Sequence, residues 1–299
     1  MTNEKKDWLS QLGEPENYDF LPSWQLLKTY HFPEFDAELC LQANGPGTFQ
    51  RVLTLFPLHL QGKAAAVAVP FYFPEAMLGF ELDTGKPLAR YKDIEMMLHL
   101  VRRGFITASA DAYHLTFRQS SRERDDFSRW PEAADALLSS HPQWSGIGKL
   151  TADTRRLVDS LACDPRVEPG RIGIAGHSLG GKMAFYAGCL DPRILAILVS
   201  DFGFLWEQTN WEKAWYWGDK LPVLKKLGFD HSELLSIAAP KPFFLLAGEA
   251  DDDRSLQLMQ QATGYKNHPE RLGFLNHASG HRPPPPALEQ GYKFLEKWL

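Results

Sequence analysis

Cysteine is scarce in this chain of 299 residues: Cys40, Cys163 and Cys189 are all there is. An odd, scattered set without C-x-x-C or zinc-ligand spacing excludes a disulfide framework and a structural zinc site, and suits a reducing compartment. No apolar stretch approaches the ~20 residues that a membrane span requires. The polar start, Met1-Thr2-Asn3-Glu4-Lys5-Lys6-Asp7, is not followed by the apolar core of a secretion signal. A cytoplasmic protein with no membrane partner is therefore expected. Runs of five like charges are missing too, and the formal net charge is −5. That removes the electrostatic footprint by which nucleic acid is bound. The phosphate loop G-x-x-x-x-G-K-[ST], the dinucleotide fingerprint G-x-G-x-x-G and the metal motif H-E-x-x-H are all lacking. No cofactor and no metal are expected.

What the chain has is apolar residues, 44% of the total, enough for the core of one large α/β domain. Residues up to about 34 are rich in Pro, Trp and charge without clear period, and read as an extension packed on a core formed later. Strand-like runs follow at Phe35 to Leu41, Thr48 to Phe56 and Ala64 to Pro70, separated by the turn signals Asn44-Gly45-Pro46-Gly47 and Gln61-Gly62-Lys63. They predict an antiparallel start to a sheet. Helices alternating with strands come next: a helix over Tyr91 to Arg103, the strand Gly104 to Asp111, a helix over 150–162, the strand 171–175 and the strand Ile194 to Val199. Such alternation predicts a mostly parallel sheet with crossover helices on its faces.

Residues 202–236 interrupt that rhythm with Trp206, Trp211, Trp215, Tyr216 and Trp217, and read as a small cap inserted over the sheet. The alternation resumes with the strand Phe243 to Ala247, a helix around Ser255 to Thr263, a short strand Arg271 to Leu275 and a last helix over 287–299. The expected organisation is a 1–34 extension followed by one domain, 35–299, carrying the insertion.

The most informative stretch is Gly176-His177-Ser178-Leu179-Gly180. Its spacing alone arises by chance in roughly one chain in ten of this length, given ordinary Gly and Ser frequencies. Context adds the weight. A β-branched run, Arg171 to Ala175, precedes it, and a breaker-free segment, Lys182 to Gly188, follows it. Together they describe a strand-to-helix turn that exposes a serine nucleophile, with glycines where a side chain would collide with neighbouring backbone.

A serine hydroxyl needs a neutral imidazole to take its proton and a carboxylate to orient that imidazole. In a turn of this type the three follow the order serine, acid, histidine. Asp251, just beyond the strand Phe243 to Ala247, is the favoured acid, since open α/β sheets build their sites at strand carboxyl ends. Asp201, after the strand Ile194 to Val199, is its rival. Asp252 and Asp253 read as loop and helix-cap residues. His281, in the small-residue loop Ala278-Ser279-Gly280-His281 and stiffened by Pro283 to Pro286, is the favoured base, with His277 the alternative. His177 reads as a packed spacer. For an oxyanion, the amide of Leu179 supplies one donor. Pro70 and Pro74 have no N–H, which leaves Phe71-Tyr72-Phe73 for the second, and Tyr72 is the choice.

At these residues the chain resembles the α/β-hydrolase superfamily, and within it the dienelactone hydrolase-like and acetylxylan esterase-like bacterial group. The resemblance rests on Arg171 to Lys182, Asn210-Trp211-Glu212-Lys213-Ala214-Trp215-Tyr216, Ile237 to Phe243, and Gly280-His281. It implies Ser178, Asp251 and His281 as a triad. The Ser178 to Lys182 spacing is also similar to glucuronoyl esterases, which implies contact of Lys182 with sugar hydroxyls. Leu179 stands where those enzymes have arginine, and Pro70-Phe71 stands in place of the usual His-Gly. The expected function is hydrolysis of a small-molecule carboxylic ester, of acetyl or sugar type, through an acyl-enzyme; the alternatives are cleavage of a peptide, lactone or thioester by the same triad, and a non-catalytic binding protein on this fold. Trp211 and Trp215 are expected to wall the substrate pocket, stacking on apolar or sugar faces.

Overall fold

The computed structural model describes residues 7–13, 24–45, 47–58, 60–117, 123–124 and 126–299. Its frame is a sheet of nine strands: β1 Trp24–His31, β2 Phe35–Gly45, β3 Thr48–Pro57, β4 Ala64–Ala68, β5 Ile106–Ala110, β6 Val167–His177, β7 Ile194–Ser200, β8 Phe243–Ala247 and β9 Leu272–Asn276. They lie in the order β1-β2-β3-β5-β4-β6-β7-β8-β9. The first three strands and the β3–β5 pair are antiparallel, and every pairing from β5 through β4 to β9 is parallel.

The parallel half follows from the residues. β7 and β8 read Ile-Leu-Ala-Ile-Leu-Val-Ser and Phe-Phe-Leu-Leu-Ala, apolar on both faces, so both faces must be covered. Two helices do this. Gly188 of the helix Leu179–Leu190 abuts Ile197, while Gly291 of the helix Pro285–Trp298 abuts Leu198. Successive strand residues point to opposite faces, so these two helices lie on opposite sides of β7. The amphipathic helix Gly146–Cys163 buries Leu150, Leu157, Val158 and Leu161. No helix among the described residues is long and apolar enough to cross a membrane.

Several elements differ from the sequence expectation. Inside the presumed extension, residues 24–31 form β1, the edge strand of the same sheet. The helix expected over Tyr91 to Arg103 is shorter, Met96–Val101, because Asp93 takes a left-handed conformation (φ 71°) behind a 3₁₀ turn at Ala89–Tyr91. Pro46, within an expected turn, lies outside the described residues, as do residues 1–6 and 14–23 of the expected extension. Residues 202–236 hold no strand; they carry the helix Leu221–Lys226 and most of the helix His231–Ala238. All five of their large aromatics noted above are buried. Trp8, on the short helix Trp8–Leu12, packs edge-on against Phe229 with ring centroids 4.9 Å apart, so this segment is fixed to the core by an N-terminal plug.

Candidate active site

β6 ends at His177, and Ser178 stands on the turn into the helix Leu179–Leu190 with φ 54° and ψ −116°. A non-glycine residue at positive φ is strained, and such strain collects at functional positions. Close packing around the turn explains its glycines. A Cβ on Gly176 would stand 2.1 Å from the Gly180 carbonyl oxygen, and one on Gly180 would stand 2.2 Å from that of Pro70. The turn is tied to the next strand by a hydrogen bond from the Ser178 amide to the Ser200 carbonyl, 2.8 Å.

The loop after β9 brings His281 to this serine. Nε2 of His281 lies 2.9 Å from Ser178 Oγ, and Nδ1 lies 2.5 Å from Oδ2 of Asp201. Solvent access is graded along the chain of contacts: the His281 side chain is 42% exposed and that of Asp201 is sealed. His177 packs beside His281, ring centroids 4.7 Å apart, and its Nδ1 pairs with Ser200 Oγ. Burial pushes the His177 pKa down to about 3, so it stays neutral and adds no charge next to His281. His277 pairs with Ser279 Oγ at 2.8 Å, and His281 is the histidine that reaches the serine.

The carboxylate that pairs with His281 is that of Asp201, not Asp251. Both follow apolar strands at their carboxyl ends and both precede the histidine, so order and spacing do not separate them. The backbone does. Asp201 adopts φ 45°, which turns its side chain to the imidazole. Its Oδ1 accepts from the amides of Gly248, Ala250 and Asp251 at 2.9–3.0 Å. Burial raises its pKa, but the bond from His281 and the amides of Asp251 and Ala250 outweigh it and hold the carboxyl below the usual value. Asp251, fully buried, is occupied elsewhere. It accepts from the amides of Phe202, Gly203 and Phe204 and from Ser255 Oγ. Asp252 caps the helix Asp253–Met259.

One expected oxyanion donor, the Leu179 amide, directly follows Ser178, and the other, the Tyr72 amide, belongs to the loop that meets Gly180 at Pro70. Leu179, Gly180 and Gly181 open the helix Leu179–Leu190, where amides have no acceptor inside the helix. The contact between Gly180 and Pro70 lays the 70–73 loop across this end. The Tyr72 carbonyl accepts from the Ala112 amide at 3.1 Å, which anchors the loop to the segment after β5.

The expected substrate contacts are corrected. Lys182 is 3% exposed and its ammonium donates to the Phe202 carbonyl (2.5 Å) and Thr209 Oγ1 (2.6 Å), with the Trp211 ring 4.1 Å away. Burial drives its pKa down to about 7 against the pull of Asp251, Asp201 and Glu212. Trp211 is fully buried, its indole N–H donating to the Gly203 carbonyl. Trp215, 8% exposed, is met edge-on by Phe127. Lys182 and Trp211 are thus internal supports of the 202–217 segment. Among the described residues no group of three His, Cys, Asp or Glu side chains is arranged to hold a metal ion.

No family model matches the chain. It is 27% identical over 176 residues, 55% of its length, to YtaP of Bacillus subtilis, a hydrolase by name. The chain spans under two thirds of the length of the curated relatives it matches, 57% in the case of YtaP. Among solved structures it is similar to a glucuronoyl esterase from Solibacter usitatus, with TM-score 0.72 and 14% identity over 96% of this chain and 90% of that one. It is also similar to an acetyl xylan esterase from Paenibacillus sp. R4, with TM-score 0.64 and 15% identity over 93% and 88% of the two chains. The chain has the α/β-hydrolase fold that these proteins share.

Proposed function

We propose that this protein is a serine-dependent carboxylic ester hydrolase for a small-molecule ester of acetyl or sugar type, with Ser178, His281 and Asp201 as its triad. The carrying observation is the continuous path Asp201 Oδ2, His281 Nδ1, His281 Nε2, Ser178 Oγ, with contacts of 2.5 and 2.9 Å. As Ser178 Oγ attacks the ester carbonyl, its proton passes to Nε2 of His281. Asp201 keeps the Nδ1–H tautomer and stabilises the imidazolium that forms. The amides of Leu179 and Tyr72 receive the developing oxyanion, where a single donor is worth about 10²–10³ in kcat. Collapse of the tetrahedral intermediate expels the alcohol, which takes the proton back from His281. Water, deprotonated by the same nitrogen, then attacks the acyl-enzyme and regenerates Ser178.

Names of similar proteins, acetyl xylan and glucuronoyl esterases, support the ester class. The internal engagement of the Lys182 ammonium favours a substrate that does not depend on this lysine for its hydroxyls. Three unpaired cysteines among the described residues support a reducing, cytoplasmic location. A fluorophosphonate probe tests the reading. Labelling that maps to Ser178 on peptide analysis, with turnover in a panel of acetyl, butyryl and sugar-acetate esters, is the expected result. A label on another serine, or none, contradicts it.

A further inference from the structure

Two residues that spacing and resemblance point toward the chemistry, Asp251 and Lys182, instead meet at one short stretch of backbone. This stretch, Phe202-Gly203-Phe204, leaves the carboxyl end of β7 directly after Asp201. Asp251 accepts its three successive amides, at 2.8 Å from Phe202, 2.9 Å from Gly203 and 2.6 Å from Phe204. Lys182 donates to its Phe202 carbonyl at 2.5 Å. An anion holds the amide side and a cation the carbonyl side. The arrangement is reciprocal, because Asp201 accepts the amides of Gly248, Ala250 and Asp251 from the loop that carries Asp251. Each acid therefore fastens the other's loop.

Burial makes the clamp consequential. Asp251 and Lys182 are 0% and 3% exposed, and buried charges are tolerated only where paired or fully hydrogen-bonded. Asp251 has a fourth donor in Ser255 Oγ, and Lys182 has a second acceptor in Thr209 Oγ1. Asp201, in turn, is held at φ 45°, a strained conformation that persists only where surroundings over-determine it. The geometry points to Asp251 and Lys182 as positioning residues for Asp201, setting the carboxylate that orients His281 rather than touching substrate themselves. This inference rests on the triad reading above.

A double-mutant cycle with a short-chain p-nitrophenyl ester tests it, using wild type, Asp251→Asn, Asp201→Asn, the double variant and Ser178→Ala. The asparagine at 251 presents an N–H₂ to backbone amides that need an acceptor, so the turn shifts. Misplacement by about 1 Å costs about 100-fold in rate. The expected result is that kcat of Asp251→Asn falls by about that factor with KM within about twofold, and that the double variant is no slower than Asp201→Asn alone. Such non-additivity marks residues acting through one another. Wild-type kcat per folded Asp251→Asn molecule, or losses that multiply in the double variant, overturns the inference. Should Asp251→Asn fail to fold, Lys182→Met enters the same cycle with the same two criteria. If Asp201→Asn and Ser178→Ala both turn over at the wild-type rate, the triad reading itself fails. If they lose activity while Asp251→Asn and Lys182→Met keep it, only the clamp is refuted.

Discussion

Gly180 lies directly beneath Pro70: a Cβ added to the glycine would stand 2.2 Å from the proline carbonyl oxygen. The first turn of the helix Leu179–Leu190 therefore sets the position of the 70–73 loop. Gly180→Ala is expected to cost about 1–3 kcal/mol of stability, as overpacking does. It is also expected to lower kcat by about 100-fold through displacement of that loop. Chemical denaturation and steady-state kinetics on the variant check both, and a variant with wild-type turnover contradicts the assignment of the loop to the oxyanion.

A second anchor of this loop lies three strands from the serine. Arg51 of β3 forms paired hydrogen bonds with Asp111, both 2.8 Å, and with Glu75, at 2.9 and 3.1 Å. Glu75 follows the loop, and Asp111 precedes the Ala112 that donates to the Tyr72 carbonyl. Both carboxylates are under 9% exposed. Arg51→Met removes the guanidinium from Asp111, while Glu75 keeps Arg124 at 2.7 Å, and removal of one partner from a buried ion pair costs about 3–5 kcal/mol. Urea unfolding of the variant is expected to show a loss in this range; a loss below about 1 kcal/mol would refute a buttressing role.

The fold is expected to lose stability as pH falls below ~6.5. Burial pushes His114, His177 and His231 each down to about 3, whereas in the unfolded chain they titrate near ~6.5. Below that value the unfolded state gains protons that the folded state refuses, so stability is full above it and falls as pH drops. Asp153 works in the opposite sense, because burial raises it to about 6 and the folded state then binds one proton earlier than the unfolded chain. For these four groups the difference is about two protons between pH ~6 and ~4, or about 2.7 kcal/mol per pH unit; lowered His99, His141 and His277 add to it, and raised Glu95 and Asp251 oppose it. Urea midpoints at pH 7.5 and 5.5 measure it, and His114→Gln is expected to flatten the slope. Equal midpoints at the two pH values would contradict it.

The sequence makes the parallel half of the sheet legible because β6, β7 and β8 are apolar runs bounded by turns, and the glycines around Ser178 admit few other conformations. β1 was not legible. As an edge strand, Trp24-Gln25-Leu26-Leu27-Lys28-Thr29-Tyr30-His31 is exposed along most of its length, so no face-by-face alternation announces it. The choice between Asp201 and Asp251 was hidden for a different reason. Both follow strands of the same character, and the difference is a backbone angle at Asp201 together with the amides that occupy Asp251, which only the folded loops create. Lys182 was misread because the residues that bury it, Thr209, Trp211 and Tyr216, come from a segment without period.

Turnover of p-nitrophenyl acetate by wild type and by Ser178→Ala, measured on equally folded protein, addresses the central claim most directly. The account predicts a fall in kcat on the order of a million-fold in the variant. Equal rates in the two proteins would mean that Ser178 is not the nucleophile.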